Sequence, residues 1–220
     1  MPSLDVSLIS KRIFSVIETE VKRLMKGGES SGHDWEHVRR VHMNCLTLAR
    51  RESVNLNVLR LAAILHDVGI TREMKEGLDH AVVSAKTARR IMRKHGVPSD
   101  IVEAVCRAIA SHRYGAGLKP NTIEGRLLQD ADRLDAIGAV GVARAFAYGG
   151  ARGAAIHDPS EKPGRYDPMK VTSTLTHFHE KLLKVKDSMN TRSGKQIARE
   201  RHRFMVAFLR KLQEEISGVS

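Results

Sequence analysis

The sequence predicts an all-α protein built as a bundle of amphipathic helices. Aromatic residues make up only 4% of the 220 residues, whereas 41% are hydrophobic, so the core is aliphatic and favours helices over strands. Apolar residues recur at the three- and four-residue spacing of helices that bury one face. At roughly 150 residues per domain, the length fits one domain, or one domain with a sizeable extension.

Three helices are predicted in the N-terminal part of the chain. The first covers about residues 6–24 and has one apolar face. Asp34 has the side chain of an N-cap for the second helix, which runs to about residue 51. The third helix, at about residues 58–67, is apolar on almost every side, so we expect it to be the most deeply buried element.

The middle of the chain predicts four more helices. Residues 80–95 carry alanines on one face and Lys and Arg on another, which is typical of a surface helix with a basic exterior. Pro98 suits the first turn of the next helix, which is expected to end near His112. Two successive helices follow at residues 123–136 and 137–148, the second rich in Ala and Gly for close packing.

The C-terminal part begins with a loop. Residues 149–167 contain several Gly and Pro residues and little periodicity, which is typical of a long loop with a functional role. Two long helices are expected after it, at about residues 168–189 and 193–216. We therefore predict a helical domain at residues 1–148, and a loop with a helical extension at residues 149–220 that packs on the same domain.

The charge of the chain indicates an anionic partner. Lys and Arg number 37 against 25 Asp and Glu, which gives a formal net charge of +12 and favours phosphate, nucleotide or nucleic acid. The longest apolar run, residues 61–65, is far shorter than the roughly 20 residues that span a bilayer. A cytoplasmic protein with no membrane partner is therefore expected. Cys45 and Cys106 are too far apart for a paired-thiolate zinc site and are predicted to be buried apolar residues.

Three His-Asp dipeptides occur, and their surroundings distinguish them. The copy at residues 33–34 begins a helix, and the copy at residues 157–158 lies in the predicted loop. Only His66-Asp67 ends a buried apolar helix, where an imidazole and a carboxylate are costly unless they are hydrogen-bonded or coordinate an ion. A divalent metal ion is the simplest explanation.

Neighbouring helices must supply the other ligands, because adjacent helical residues point about 100° apart. His37 and Asp132 are the natural donors, and Asp135 lies near the same inner face as Asp132. Asp130 is expected to face outward or to lie behind the ligands. A mixed imidazole and carboxylate set suits Mn, Fe, Co, Ni, Zn or Mg. Its predicted members are His37, His66, Asp67 and Asp132.

These four residues resemble, in order, the H…HD…D signature of the HD-domain superfamily of metal-dependent phosphohydrolases. Residues 33–41 resemble the helix that supplies the first ligand, residues 64–69 the helix of the paired ligands, and residues 131–134 the helix of the last ligand. The C-terminal part, around His177, is similar to a bacterial and archaeal subgroup that lacks an assigned substrate. The resemblance implies an HD-domain-like helical bundle and a hydrolase.

The resemblance also implies the reaction. Water activated by a divalent ion would cleave a phosphate ester or anhydride of a small molecule, most simply a nucleotide. His66 and Asp67 are the expected catalytic residues. His80 and His112, which begin and end helices, could complete a second metal site as in relatives with extra histidines, so one or two ions are expected.

Further side chains are expected around the ligands. Arg40, one turn after His37, and Lys181 are candidates for phosphate binding. His33 and Asp135 are expected behind the ligands as supporting residues.

Two other functions stay open. One is a nucleic-acid-binding module whose metal site is structural or degenerate, although the basic helix at residues 80–95 lacks the interleaved aromatic residues of such surfaces. The other is oxidation at a di-iron centre, which a minority of the superfamily performs. The helix at residues 193–216 packs on the domain or, in a homodimer, on a second copy.

Overall fold

The computed structural model describes residues 9–26, 33–70, 79–113, 119–167 and 169–218. Within these ranges the protein is all-α, as predicted, and contains nine α-helices and one 3₁₀-helix. The α-helices are α1 (Lys11–Leu24), α2 (Trp35–Ala49), α3 (Leu56–Leu65), α4 (His80–Lys94), α5 (Ser99–Ala110), α6 (Ile123–Asp135), α7 (Gly138–Ala151), α8 (Thr174–Glu180) and α9 (Arg192–Ile216). The 3₁₀-helix (Leu182–Ser188) lies between α8 and α9.

Polar side chains fix where most of these helices begin. The Asp34 carboxylate accepts the backbone N–H of His37 at 2.8 Å, which confirms Asp34 as the N-cap of α2. Asn55 caps α3 through the N–H groups of Asn57 and Val58, so α3 begins earlier than predicted. Asp79, Thr122 and Thr191 cap α4, α6 and α9 in the same way. The start predicted for the first helix, at residue 6, lies outside the described residues.

Helix α3 is the centre of the core, as its apolar sequence predicts. Leu59, Leu61 and Leu65 are fully buried, and α3 packs against α2, α5 and α6. Helices α2 and α6 also pack on each other along their length. The end of α3, where His66 follows Leu65, therefore lies between two helices that carry polar residues of the predicted site. None of the helices in the described ranges is long and apolar enough to cross a membrane.

The segment predicted as one helix at residues 168–189 is different in the structure. Residues 169–173 are not helical, α8 is short, and the backbone of Lys181 leaves the α region (φ −128°, ψ −62°) before the 3₁₀-helix. Two long-range hydrogen bonds impose this path. Glu161 accepts the N–H of Ser173 at 2.9 Å, and the buried carboxylate of Glu180 accepts the N–H of Gly164 at 2.9 Å. The predicted start at Pro168 lies outside the described residues.

The prediction that Asp130 faces outward is wrong, and its side-chain bonds join it to the start of α9 instead of to the predicted ligands. Asp130 is fully buried, and its carboxylate accepts the backbone N–H groups of Asn190 and Thr191 at 2.7 and 2.8 Å. The Thr191 hydroxyl donates to the same carboxylate at 2.7 Å. Asp130 therefore holds the start of α9 against α6. The division of the chain after residue 148 stays a prediction.

We expect Asp130→Ala to destabilise the protein, because it leaves buried donors of Asn190 and Thr191 without an acceptor. The free energy of unfolding should fall by about 3 kcal/mol, measured by urea denaturation. Asp187→Ala is the matched control, since the Asp187 side chain is 70% exposed. Its effect should stay within about 0.5 kcal/mol. Equal effects of the two substitutions would contradict the anchoring role of Asp130.

Candidate metal centre

Four predicted residues converge where α2, α6 and the end of α3 meet. His37 Nε2 lies 3.3 Å from His66 Nε2, 3.4 Å from Asp67 Oδ2 and 3.4 Å from Asp132 Oδ1. His66 Nε2 lies 3.5 Å from Asp67 Oδ2. His37, His66 and Asp67 are buried. Side chains that are distant along the chain thus offer nitrogen and oxygen atoms to one small volume, and these groups could hold a metal ion.

Hydrogen bonds on the far side of each imidazole define which nitrogen faces the cluster. His66 Nδ1 lies 2.8 Å from the carbonyl oxygen of Ala63, and His112 Nδ1 lies 2.6 Å from that of Ile109. A carbonyl can only accept, so Nδ1 carries the proton in both rings. His37 Nδ1 lies 2.7 Å from Asp135 Oδ2 and donates to it. In the neutral rings, all three Nε2 atoms are therefore unprotonated and point at the carboxylates.

The charges of the cluster require a cation. Burial raises the pKa of Asp132, but the hydrogen bond and charge of His37 outweigh burial and leave that pKa below its usual value. Burial lowers the pKa of His66 to about 4, so this ring is neutral at neutral pH. Burial also opposes protonation of His37, yet its hydrogen bonds to Asp132, Asp135 and Asp67 hold its pKa well above the usual value. The carboxylates therefore stabilise a positive charge at His37 Nε2. Either a proton on this nitrogen or a divalent metal ion bound to it can supply that charge.

A second group of side chains lies beside the other carboxylate oxygen of Asp67, Oδ1. Asp67 Oδ1 is buried and has no hydrogen-bond partner in the described part of the protein. The Nε2 atoms of His80 and His112 each lie 3.7 Å from it, and the two rings are 5.2 Å apart. An unpartnered buried carboxylate oxygen is rare and expensive. The structure therefore brings His80 and His112 to the place where a second ion would share Asp67.

Asp135 lies behind His37 and joins three helices. Besides the imidazole of His37, its carboxylate accepts from Arg40 Nε at 2.7 Å and from Arg144 at 2.6 Å. Burial raises the pKa of Asp135, but its bonds to His37 and Arg40 outweigh burial and lower the pKa to about 2. Asp135 is therefore an ionised acceptor that fixes the ring of His37. His33, on the opposite side, lies with Nδ1 2.7 Å from Asp67 Oδ2.

The two predicted phosphate-binding residues have different partners. Arg40 is engaged by Asp135, as described above, and its side chain is 29% exposed. The Lys181 ammonium donates to the Tyr166 hydroxyl at 3.3 Å. Burial lowers the pKa of Lys181, and the carboxylate of Asp132 opposes this effect, so the ammonium lies within electrostatic reach of the cluster.

The sequence reasoning missed two residues of this region. Arg144 is the only charged residue in α7, whose other residues are small or apolar. A single charged residue in an otherwise apolar helix indicates a buried ion pair, and Asp135 is the partner of Arg144. Tyr166 lies in the predicted loop and carried no periodic signal. Only its contact with Lys181 reveals it.

A helical bundle with this cluster has the architecture of an HD domain, and a family model of the HD domain matches residues 34–137. The chain belongs to the HD-domain superfamily. It is 35% identical over 201 residues to the uncharacterized protein YpgQ of Bacillus subtilis (strain 168), covering 87% of this chain and 88% of that protein.

Solved structures agree with this assignment. The crystal structure of an HD-superfamily hydrolase from Bacillus thuringiensis is 38% identical to this chain, with a TM-score of 0.75 and coverage of 94% of this chain and 97% of that one. The structure of B. subtilis YpgQ in complex with ADP is 33% identical, with a TM-score of 0.71 and coverage of 94% and 100%. The superfamily and fold class predicted from the sequence are therefore confirmed.

We expect Asp67→Asn to abolish tight metal binding, because Asp67 presents one oxygen to each group of imidazoles. The dissociation constant for Mn²⁺ should rise by at least about 100-fold, measured by calorimetry on metal-stripped protein. Asp158→Asn is the matched control, since Asp158 belongs to a His-Asp dipeptide outside the cluster and its carboxylate accepts from the backbone N–H and the hydroxyl of Ser160. Retained affinity in Asp67→Asn would exclude this centre.

Proposed function

We propose that this protein is a metal-dependent phosphohydrolase that cleaves a phosphate ester or anhydride of a small molecule, most simply a nucleotide. The convergence of His37, His66, Asp67 and Asp132 on one buried volume carries this proposal. Membership of a superfamily with hydrolases among its solved structures supports it.

The four residues are proposed to hold the first ion. When bound, a divalent ion lowers the pKa of a water ligand and offsets negative charge on phosphoryl oxygens. His66 and Asp67 are assigned here as the catalytic residues, because they would hold the ion that activates the water. Asp135 is a poor general base, because its pKa is about 2. Its proposed role is to hold the Nδ1 proton of His37, so that Nε2 remains a ligand atom.

A second ion is proposed between Asp67 Oδ1, His80 and His112. Asp67 Oδ1, which has no hydrogen-bond partner among the described residues, and the two Nε2 atoms at 3.7 Å from it support this assignment. Mg²⁺ prefers an all-oxygen shell, whereas Mn, Fe, Co, Ni and Zn accept imidazole. The imidazole-rich donor set therefore favours these five metals over Mg.

Cationic side chains around the cluster support an anionic substrate. Arg40, Arg144 and Lys181 lie beside it, and each cation can offset charge on a phosphate chain. YpgQ, the relative described above, was crystallised with ADP. We therefore propose a nucleotide as the substrate class, with Arg40 and Lys181 as the residues that contact its phosphates.

Removal of the metal should abolish hydrolysis. Metal-stripped protein should release no phosphate from a panel of nucleotides, and Mn²⁺, Co²⁺ or Ni²⁺ should restore release, because the proposed ion is the group that activates the water. The measurement is phosphate release with and without added ion. Oxygen consumption by iron-loaded protein would instead support the di-iron oxygenase. Salt-sensitive binding of DNA or RNA without turnover would support the nucleic-acid module.

Asp135→Asn should weaken the centre without removing a ligand. The change removes the charge that holds His37, Arg40 and Arg144 together. We expect Mn²⁺ affinity to fall by about 10- to 100-fold, with turnover recovering at high Mn²⁺. Asp158→Asn again serves as the control. Loss of turnover that saturating Mn²⁺ fails to restore would contradict a positioning role for Asp135.

A further inference from the structure

A broad groove lies between the 3₁₀-helix and α9, and its lining is strongly basic. The groove is open to solvent, and its cavity volume is about 700 Å³. All of its lining residues are polar or charged, and four are Lys or Arg against two acidic residues. The cations are Lys186 from the 3₁₀-helix and Lys195, Arg199 and Arg203 from α9, and the acidic residues are Asp187 and Glu200. An anionic ligand therefore suits this basic groove.

The basic groove lies on the side of α9 that faces away from the helices of the metal centre. Arg201 points inward, since its guanidinium donates to the carbonyl oxygen of Leu134 on α6 and, at 3.2 Å, to the side-chain oxygen of Asn44 on α2. Arg199 and Arg203 each lie two residues from Arg201, so they point about 200° away from it around the helix. The groove is therefore a separate surface.

Three cations of the groove follow one ridge of α9 at an unfavourable spacing. Lys195, Arg199 and Arg203 recur every fourth residue, so their side chains are neighbours on the helix surface. Like charges at this spacing destabilise a helix. In the part of the chain that the structure describes, none of the three forms an ion pair, although Glu200 lies on the same helix. An anion bound along this ridge would relieve the repulsion.

The C-terminal end of α9 balances its charge in the opposite way. Arg210 Nε lies 3.9 Å from a carboxylate oxygen of Glu214, and Lys211 Nζ lies 3.8 Å from Glu214 and 3.9 Å from Glu215. Carboxylates about one turn away thus pair the cations there, as is usual on an exposed helix. The ridge in the groove lacks such partners among the described residues, so its charge is available to an external anion.

The shape and the lining of the groove favour a nucleic-acid duplex over other anions. An open groove does not enclose a small molecule, whose site usually buries most of its surface. None of the described lining residues is apolar, whereas protein interfaces are anchored by apolar and aromatic side chains. Aromatic rings, on which single-stranded bases stack, are likewise missing from this lining. Residues four apart rise by about 6 Å, so the ridge covers about 12 Å, over which one strand of a duplex carries about three phosphates.

We propose that this groove binds the phosphate backbone of a nucleic-acid duplex without reading its sequence. Lys195, Arg199 and Arg203 contact phosphates along one strand. Lys186, whose ammonium donates to Asp187 at 2.7 Å, adds a cation from the 3₁₀-helix. Phosphate contacts fix the position of a protein on a duplex and carry no sequence information. The proposal is independent of the phosphohydrolase function, because the lining residues are not those of the metal centre.

Fluorescence anisotropy tests this proposal on the full chain. The dissociation constants of labelled DNA and RNA duplexes, each in two unrelated sequences, are measured over a range of salt concentrations, with polyglutamate as a competitor. The variant Arg199→Ala/Arg203→Ala removes two cations of the ridge. Arg210→Ala/Lys211→Ala is the matched control, because it removes the same charge from the same helix outside the groove. All four side chains are exposed, so both variants should fold.

The wild-type affinity for a duplex should fall by about 100-fold between about 50 and 200 mM salt, as four phosphate contacts predict. Arg199→Ala/Arg203→Ala should reduce this fall to about tenfold, because two contacts are lost. The control variant should behave as the wild type, and unrelated sequences should bind equally. Binding of DNA alone, of RNA alone or of both supports the groove and identifies the source of the backbone.

Three outcomes would overturn the groove. Equal effects of the two double variants would show that binding follows net charge alone. Tighter binding of polyglutamate than of either duplex would indicate an acidic protein partner, and the third outcome is the absence of duplex binding by the wild-type chain. Phosphate release from nucleotides is scored separately, so duplex binding without turnover would contradict only the hydrolase assignment.

Discussion

The burial of two carboxylates among imidazoles is the constraint on which the rest of the structure depends. Asp67 and Asp132 are held ionised, and the Nε2 atoms of His37 and His66 face them at 3.4–3.5 Å. Their negative charge has to be balanced, because unpaired buried charge is expensive, and either a proton on His37 or a metal ion can balance it. The packing of helices α2, α3 and α6 brings these charges together in one cluster. The apolar side chains of α3 exclude water from one side of this cluster.

Asp135 supports this cluster from behind His37. It carries a charge close to His37, yet Arg40 and Arg144 engage its oxygens, so the charge is already balanced. The hydrogen bond to His37 therefore orients a ring and fixes its tautomer. One carboxylate thereby couples α2, α6 and α7, and a change in the packing of α7 would reach the centre through Arg144.

The C-terminal segment builds the other side of the site. Asp130 fixes the start of α9, and Glu180 holds the loop through Gly164. These buried hydrogen bonds place α8, and with it Lys181 and His177, beside α7. The segment is thus more than a cover for the core, since it supplies Lys181, a cation from outside the HD-domain match whose pKa responds to the charge of Asp132.

The all-α class, the start of α2 at Asp34 and the four candidate ligands could be predicted from the sequence, because periodicity, capping and the His-Asp context are local properties of the chain. The sequence could not decide that Asp130 is buried. Asp130 and Asp132 point about 200° apart around α6, and only the packing of the start of α9 covers the side of α6 that carries Asp130. Nor could it separate α8 from the 3₁₀-helix or connect Arg144 to Asp135. Those outcomes follow from hydrogen bonds between distant residues, which only the packed tertiary structure creates.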